Sequence, residues 1–316
     1  MSCSASHVRK RDPVRHSARF VLSCESVVRD CRSADRVIRG LGAQQWENGS
    51  IVVDASTFTG LLDLTGEVAL VTGAGQGVGA TTARFLASQG AAVAVNDFYP
   101  ERAQAVVDDI VAQGGSAVVA AADITVYDDV VNAVATASRE LGTVSILVNN
   151  AGNSGAQPQR PQPFWESDPA NWEPFLAVNL TGVLACSRAV TPGMIELGRG
   201  RLITVISDAG RVGEAGLEVY SAAKAGAAGL MRALARSLGR YGITANSVAL
   251  GFTRTPAMAR VLENEEMVKR ALAHYSIRRV GEPTDAAALI SFLASPAASW
   301  ITGQTYPVNG GFSVSQ

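Results

Sequence analysis

Lysine is almost missing from this chain: of its 27 lysines and arginines only Lys10, Lys224 and Lys269 are lysine. Histidine occurs three times and cysteine four, at Cys3, Cys24, Cys31 and Cys186. Such a supply offers no cluster of metal ligands. With three of the cysteines crowded into the first 31 residues it offers no disulfide framework either, which fits a reducing compartment and a cytoplasmic protein. Charged residues make up 17% and the net charge is −1, so no global field draws the chain to nucleic acid or to an anionic membrane. No apolar run reaches the roughly 18–20 residues that cross a bilayer. No G-x-S-x-G elbow is present, which argues against a serine hydrolase. What the chain has in plenty is apolar residues, 47% of 316, ample for a sizeable core and too many for a disordered protein.

Residues 1–61 stand apart. They are arginine-rich with little apolar periodicity, and acids such as Asp12 and Glu25 dilute any likeness to a transit peptide. We read them as a poorly ordered extension or as the product of a start placed too far upstream. From residue 62 to 316 short apolar runs alternate strictly with helical stretches. Strands are predicted at "EVALVTG" (Glu67–Gly73), "AAVAVND" (Ala91–Asp97), "SAVVAAAD", "VSILVNNAG", "GRLITVIS" and "ITANSVAL". Helices lie between them, including "ATTARFLASQG" from Ala80, one opened by Pro100 and "WEPFLAVNLTGVLACSRAV" from Trp172. Strands that are apolar throughout have both faces covered. The expectation is an α/β, Rossmann-like fold, a doubly wound parallel sheet in a single domain over residues 62–316.

The first turn, "TGAGQGVGA" (Thr72–Ala80), fits G-x-G-x-x-G/A at Gly75, Gly77 and Ala80. Glycines let the backbone approach a pyrophosphate, and the next helix turns its positive end toward it. Alone, the string is also compatible with a tight turn under a closely packed helix. Asp97 ends the second strand, where an acid hydrogen-bonds the adenosine ribose. A carboxylate there repels a 2′-phosphate. Phe98 rather than arginine follows it, and the glycine turn carries no basic residue, so NAD is expected over NADP. The competing reading of Asp97 is a solvated turn residue before Pro100. Asp123 is a candidate for the adenine amino group or for a helix N-cap.

Tyr220 and Lys224 stand four apart, on one face of a predicted helix. A free tyrosine ionises at about pH 10. An adjacent ammonium favours the phenolate and draws that value down, readying the pair to pass a proton to or from a carbonyl oxygen. By itself the spacing is common on solvated helices. Ser207, 13 residues earlier at the end of a strand, reaches the same carboxyl edge of the sheet. Its hydroxyl either holds a carbonyl oxygen beside Tyr220 or caps the strand end.

With "TGAGQGVG", "NNAG" (Asn149–Gly152), Asn179 in "VNLTG", Ser207 and "YSAAK", the chain resembles the classical short-chain dehydrogenase/reductase family over about residues 62–316. The resemblance implies Tyr220 as general acid/base, with Lys224 lowering its pKa and binding the nicotinamide ribose. Ser207 would polarise the carbonyl, and Asn179 would kink its helix and hold a water linking Lys224 to solvent. It lines the cofactor with Gly73, Gly75, Gln76, Gly77, Val78, Gly79, Asp97, Asp123, Ile124, Asn150, Ala151, Gly152, Gly251, Thr253 and Thr255, besides Tyr220 and Lys224. It also implies a homotetramer. Three positions depart from the family's pattern: Leu250 before Gly251 replaces proline, Asp208 stands where a small or apolar residue is commoner, and Asn309 replaces the aspartate of a terminal V-D-G-G.

The expected activity is NAD(H)-dependent interconversion of a secondary alcohol and a ketone. The chain resembles β-ketoacyl thioester reductases and hydroxyacyl-CoA dehydrogenases, so a 3-hydroxyacyl/3-oxoacyl thioester on CoA or acyl carrier protein is the first expectation. A cyclic alcohol, steroid or sugar, or a catalytically silent NAD-binding regulator, are the alternatives. Residues 254–283 form a predicted cap in which Met258, Val261, Leu262 and Leu272 line an apolar slot or pack the cap itself. Arg160 and Arg211 are candidates for a carrier phosphate or are simply solvated surface arginines.

Overall fold

The computed structural model describes residues 46–47, 50–51, 59–153 and 163–314. The chain divides into two compact units, Met1–Thr57 and Phe58–Gln316. In the first, Trp46–Glu47 pairs antiparallel with Ser50–Ile51. Apart from that ladder and residues 59–61, the extension expected over residues 1–61 lies outside the described residues, as does Arg160.

In the second unit seven strands form one parallel sheet: β1 (Val68–Val71), β2 (Ala92–Val95), β3 (Ala117–Val119), β4 (Ile146–Asn149), β5 (Gly200–Ser207), β6 (Ile243–Leu250) and β7 (Thr305–Val308). Their spatial order is β3-β2-β1-β4-β5-β6-β7. The long crossover helices are α1 (Gly77–Ser88), α2 (Pro100–Ala112), α3 (Tyr127–Glu140), α4 (Gly182–Leu197), α5 (Glu218–Leu238) and α6 (Pro283–Ala294). This is the Rossmann-like, doubly wound sheet that the alternation predicts.

The pleat explains why the strands read as apolar without alternation. Successive side chains point to opposite faces, and each face has its own core. Ala69 and Val71 of β1, Ile146 and Val148 of β4, and Ile203 and Val205 of β5 enter one core with Leu86 of α1, Ile110 of α2 and Ile290 of α6. Leu70, Leu147, Leu202 and Ile206 enter the other with Val130 of α3, Met194 of α4 and Met231 of α5. Strand order reverses between β1 and β4, and the crevice beyond their carboxyl ends is where such sheets take a ligand.

Two helices differ from their predicted extents. α1 starts at Gly77, so the glycine turn supplies its first turn rather than preceding it. The helix expected from Trp172 is instead a short helix Glu173–Leu176, a π turn Ala177–Thr181 and then α4. Within the helical run Pro169–Leu197 an 18-residue window has a mean hydropathy of 1.2, so that by length and composition alone the run could cross a membrane. Its Val183, Cys186, Val190 and Met194 are buried in the second core. Burial pushes the Cys186 thiol up to about 12, so it stays protonated and unreactive.

Candidate active site

The glycine turn is built for close approach. Gly73 has a φ of +60°, and a Cβ on it would lie 2.8 Å from Ala151 Cα. A Cβ on Gly79 would lie 2.3 Å from the Gly73 carbonyl oxygen. At the start of α1, Gln76 occupies the N-cap with no side-chain hydrogen bond to the first-turn amides, and that turn contains no acid. The amides and the positive end of the helix are thus left for an anion. Thr255 and Pro256 come over the turn from beyond β6, their side chains 3.5–3.7 Å from where a Gly77 Cβ would be. Val78 and Ile124, both expected along the cofactor, have their side chains in the two cores.

Asp97 is buried, and its carboxylate spans the end of β2: Oδ2 accepts from the Gly75 amide and Oδ1 from the Tyr99 amide, each at 3.0 Å. It is a fixed part of the glycine turn rather than a solvated turn residue. Reading the sequence missed Arg102, whose Cβ would lie 2.5 Å from a Gly75 Cβ and whose guanidinium stacks 4.2 Å from the Tyr99 ring centroid. Asp123 accepts from the backbone and hydroxyl of Thr125, at 2.9 and 2.7 Å. The N-cap of α3 is Val126, so Asp123 closes a turn and caps no helix.

Across the crevice, Asn150 donates through Nδ2 to the Thr72 and Gly73 carbonyls, both at 3.0 Å. Thr72 Oγ1 accepts from the amides of Asn150 and Ala151. Asn149 packs inward, donating to Ser187 and Thr204. Gly152 then brings the crevice to the catalytic side: a Cβ there would lie 2.9 Å from Asn179 Oδ1 and 3.0 Å from Lys224 Nζ.

Asn179 sits in the π turn, fully buried, with Nδ2 donating to the carbonyls of Asn153 and Phe175 and to Asn153 Oδ1. The kink expected at this residue is thus a π bulge, a common device for presenting a side chain. Its Oδ1 is buried with no partner in the protein. Lys224 Nζ donates to the Val205 carbonyl at 3.0 Å, and burial lowers its pKa to about 8. Two of its three ammonium protons remain for other acceptors. Ser207 Oγ accepts from the Ala209 amide at 3.2 Å and lies near enough to Tyr220 to favour its phenolate.

One expectation is corrected here. Burial raises the Tyr220 pKa, the Ser207 side chain opposes this, and the charge of Glu214 adds to the rise. The Lys224 ammonium, 5.8 Å from the Tyr220 ring centroid, does not draw the phenol down in the protein alone. Desolvation prevails because Lys224, with its pKa at about 8, has lost its proton at the pH where the phenol ionises.

The remaining residues hold the floor. Gly251 donates to the Val308 carbonyl at 3.1 Å, and Thr253 Oγ1 turns back to the Gly251 carbonyl at 3.1 Å. Arg211 pairs with Asp208 at 2.6 Å instead of standing as a solvated arginine. In the cap, Leu262, Val268 and Leu272 line a cavity of about 460 Å³ with Lys269 and Arg278 at its rim. It shares no residue with the Ser207–Tyr220 centre. Among the described residues no group of three or more metal-ligating side chains occurs.

The family described as "Enoyl-(Acyl carrier protein) reductase" matches residues 73–313. A 3-oxoacyl-[acyl-carrier-protein] reductase of Synechocystis sp. is 39% identical over 250 residues, covering 78% of this chain and 97% of that protein. Among solved structures, a 7α-hydroxysteroid dehydrogenase complexed with NADH and 7-oxo glycochenodeoxycholic acid is 37% identical with a TM-score of 0.75, covering 79% of this chain and 96% of that one. A gluconate 5-dehydrogenase from Burkholderia cenocepacia J2315, in complex with NADP and tartrate, is 31% identical with a TM-score of 0.75 and covers 80% and 98%.

Proposed function

The chain belongs to the short-chain dehydrogenase/reductase family and is an oxidoreductase of secondary alcohols and ketones with a nicotinamide dinucleotide; we propose that its cofactor is NAD(H) and that Ser207, Tyr220 and Lys224 carry the proton chemistry. The observation that carries the reading is the buried Lys224 Nζ, which donates to the Val205 carbonyl and faces Gly152 beside Asn179 Oδ1, with Ser207 near enough to Tyr220 to act on its phenol. The uncapped helix, the glycines without room for a Cβ and the unpartnered Asn179 oxygen fit a dinucleotide. Bound, that group supplies and accepts the hydride.

The chain's own residues do the rest. Ser207 and the Tyr220 hydroxyl converge on one carbonyl or alcohol oxygen, where Tyr220 gives or takes the proton. Lys224 holds its spare donors toward the ribose, and Asn179 Oδ1 offers an acceptor for a water on the proton's way out. The Tyr220 phenol, which burial and Glu214 hold up in the protein alone, would be brought down by the positive charge that an oxidised nicotinamide supplies. Asp97 places a fixed carboxylate at the ribose end, which supports NAD(H).

For the substrate, the acyl-carrier reductase relative supports a 3-hydroxyacyl/3-oxoacyl thioester, with a homotetramer in the cytoplasm as the working form. The steroid dehydrogenase neighbour favours a second reading, a cyclic alcohol or steroid. Turnover of the purified protein with NAD(H) and NADP(H) against 3-hydroxybutyryl-CoA, a bile acid, cyclohexanol and gluconate decides between them. Absence of turnover on the CoA ester together with turnover of a ring alcohol overturns the first.

A further inference from the structure

Asp208 and Asn309, a hundred residues apart, share one hydrogen bond and one buried charge. Asp208 is 3% exposed. Its Oδ1 accepts from Arg211 Nη1 at 2.6 Å, and its Oδ2 accepts from Asn309 Nδ2 at 2.5 Å and from Ser313 Oγ at 3.0 Å. The Asn309 amide has only one orientation open to it, because its Oδ1 accepts the Gly311 amide at 3.0 Å. Ser313 gives its single proton to Asp208 and accepts from Arg211 and Asn309, at 2.9 and 3.1 Å. Asn309 Nδ2 also donates to the Ser313 carbonyl, at 2.9 Å. An aspartate at 309 would set two carboxylates in contact; an asparagine at 208 alone would take the Asp208 charge away from Arg211.

The tail held in this way is the surface on which the end of the cap rests. Ile277 donates its amide to the Gly310 carbonyl at 2.8 Å, and Ser276 Oγ donates to the Gly311 carbonyl at 3.3 Å. The Tyr275 ring packs on Phe312 at 5.0 Å, and its hydroxyl accepts the Phe252 amide at 2.8 Å. At the other end Asp208 follows Ser207 directly and donates its own amide to the Leu250 carbonyl at 3.0 Å.

We propose that Asp208 is a positioning residue: through Asn309 and Ser313 it fixes the C-terminal tail, and with it the rear of the cap, relative to Ser207. This rests on the reading of Ser207 as part of the reacting site. Among the described residues the charged and titratable groups facing the pair are Arg211 on the short helix after β5 and Tyr275 on the cap, with Glu214 acting on Tyr275 from further off.

The test compares Asn309→Asp, Asp208→Asn, the double exchange and Ser313→Ala with the wild type. The first readout is hydrogen exchange at the Phe252 and Ile277 amides, taken as a ratio to wild type at about pH 6 and about pH 8. In Asn309→Asp exchange quickens by about tenfold or more at the higher pH and by less at the lower, because protonating one of two touching carboxylates re-forms the bond. The double exchange recovers part of that loss, since donor and charge trade places at the 208–309 contact while the aspartate at 309 still faces the Ser313 carbonyl. With 3-hydroxybutyryl-CoA and NAD+, KM rises in Asn309→Asp more than kcat falls. Unchanged exchange in Asn309→Asp, or a double exchange no better than the worse single variant, overturns the proposal. If both aspartate-309 proteins fail to fold, Ser313→Ala decides: faster exchange at Phe252 and Ile277 supports it, and wild-type exchange overturns it. A wild type inactive on the CoA ester removes the substrate reading only, because the exchange ratios need no turnover.

Discussion

The Thr72 hydroxyl accepts the amides of both Asn150, at 3.0 Å, and Ala151, at 3.1 Å. One side chain therefore pins the carboxyl end of β1 to that of β4, the two walls of the crevice. Thr72→Val keeps the shape and orphans two amides, each at a cost of about 1–3 kcal/mol. Weaker cofactor binding by about tenfold or more is expected, with Thr72→Ser close to wild type. NADH fluorescence titration checks this. Equal affinity in Thr72→Val would remove the pin from the cofactor site.

Much of this architecture was legible in the sequence because its signals are local. A parallel strand covered on both faces is apolar at every position, so β1, β4 and β5 announce themselves. The glycine turn, Asp97, Ser207 and the Tyr220–Lys224 pair stand at strand ends or at helical spacing, and the fold gathers them on one edge. What stayed hidden depends on partners distant in sequence. Thr72 looked like an ordinary strand-end residue until β4 arrived beside it. Arg102 is one turn into α2, and only the packing of α2 on the glycine turn brings it to Asp97. Asp208 and Asn309 read as two unrelated oddities, and their contact exists only once β5 and β7 flank β6. The direction of the Tyr220 shift was misread for a physical reason: spacing shows a neighbouring cation but not the desolvation that opposes it.

Tyr220→Phe removes one oxygen and leaves the ring in place. Turnover should fall by at least about a thousandfold, in keeping with loss of general acid/base help, while NADH affinity stays nearly unchanged. Single-turnover rates and fluorescence titration separate the two. Substantial residual turnover would end the role assigned to the phenol.

Lys224 carries a stability cost that its replacement should reveal. Its folded pKa, lowered from 10.5 to about 8, means that burial disfavours the charged form by about 3 kcal/mol. Because the folded value is depressed, that penalty is fully present below pH 8 and is relieved as pH rises from about 8 toward 10.5. Lys224→Met should therefore be inactive yet unfold at a higher temperature than wild type near neutrality, with the gap closing at alkaline pH. A variant less stable than wild type at pH 7 would show that the bond to the Val205 carbonyl outweighs desolvation.

Asp97→Asn keeps an oxygen for one of the two amides and removes the charge. Wild type should favour NADH over NADPH by well over tenfold, about 1.4 kcal/mol. The variant should lose most of that preference, chiefly through better use of NADPH. Ratios of kcat/KM for the two cofactors decide it. Equal efficiency in the wild type would take discrimination away from Asp97.

Gly152 offers the sharpest steric test, because a single methyl group enters between two functional side chains. An alanine Cβ would lie 2.9 Å from Asn179 Oδ1 and 3.0 Å from Lys224 Nζ, both inside ordinary carbon contact distance. Asn179 cannot retreat easily, since its Nδ2 is held by Asn153 and Phe175. Lys224 can move only by giving up the Val205 carbonyl. The methyl should thus displace the ammonium from beneath Tyr220 while the glycine turn and Asp97, on the far side of the crevice, keep their geometry. Gly152→Ala is expected to lower kcat by about tenfold or more, with a smaller change in NADH affinity and an unaltered far-ultraviolet spectrum. A variant with wild-type kcat would show that Lys224 and Asn179 are not held in the narrow arrangement on which the proposed proton route depends.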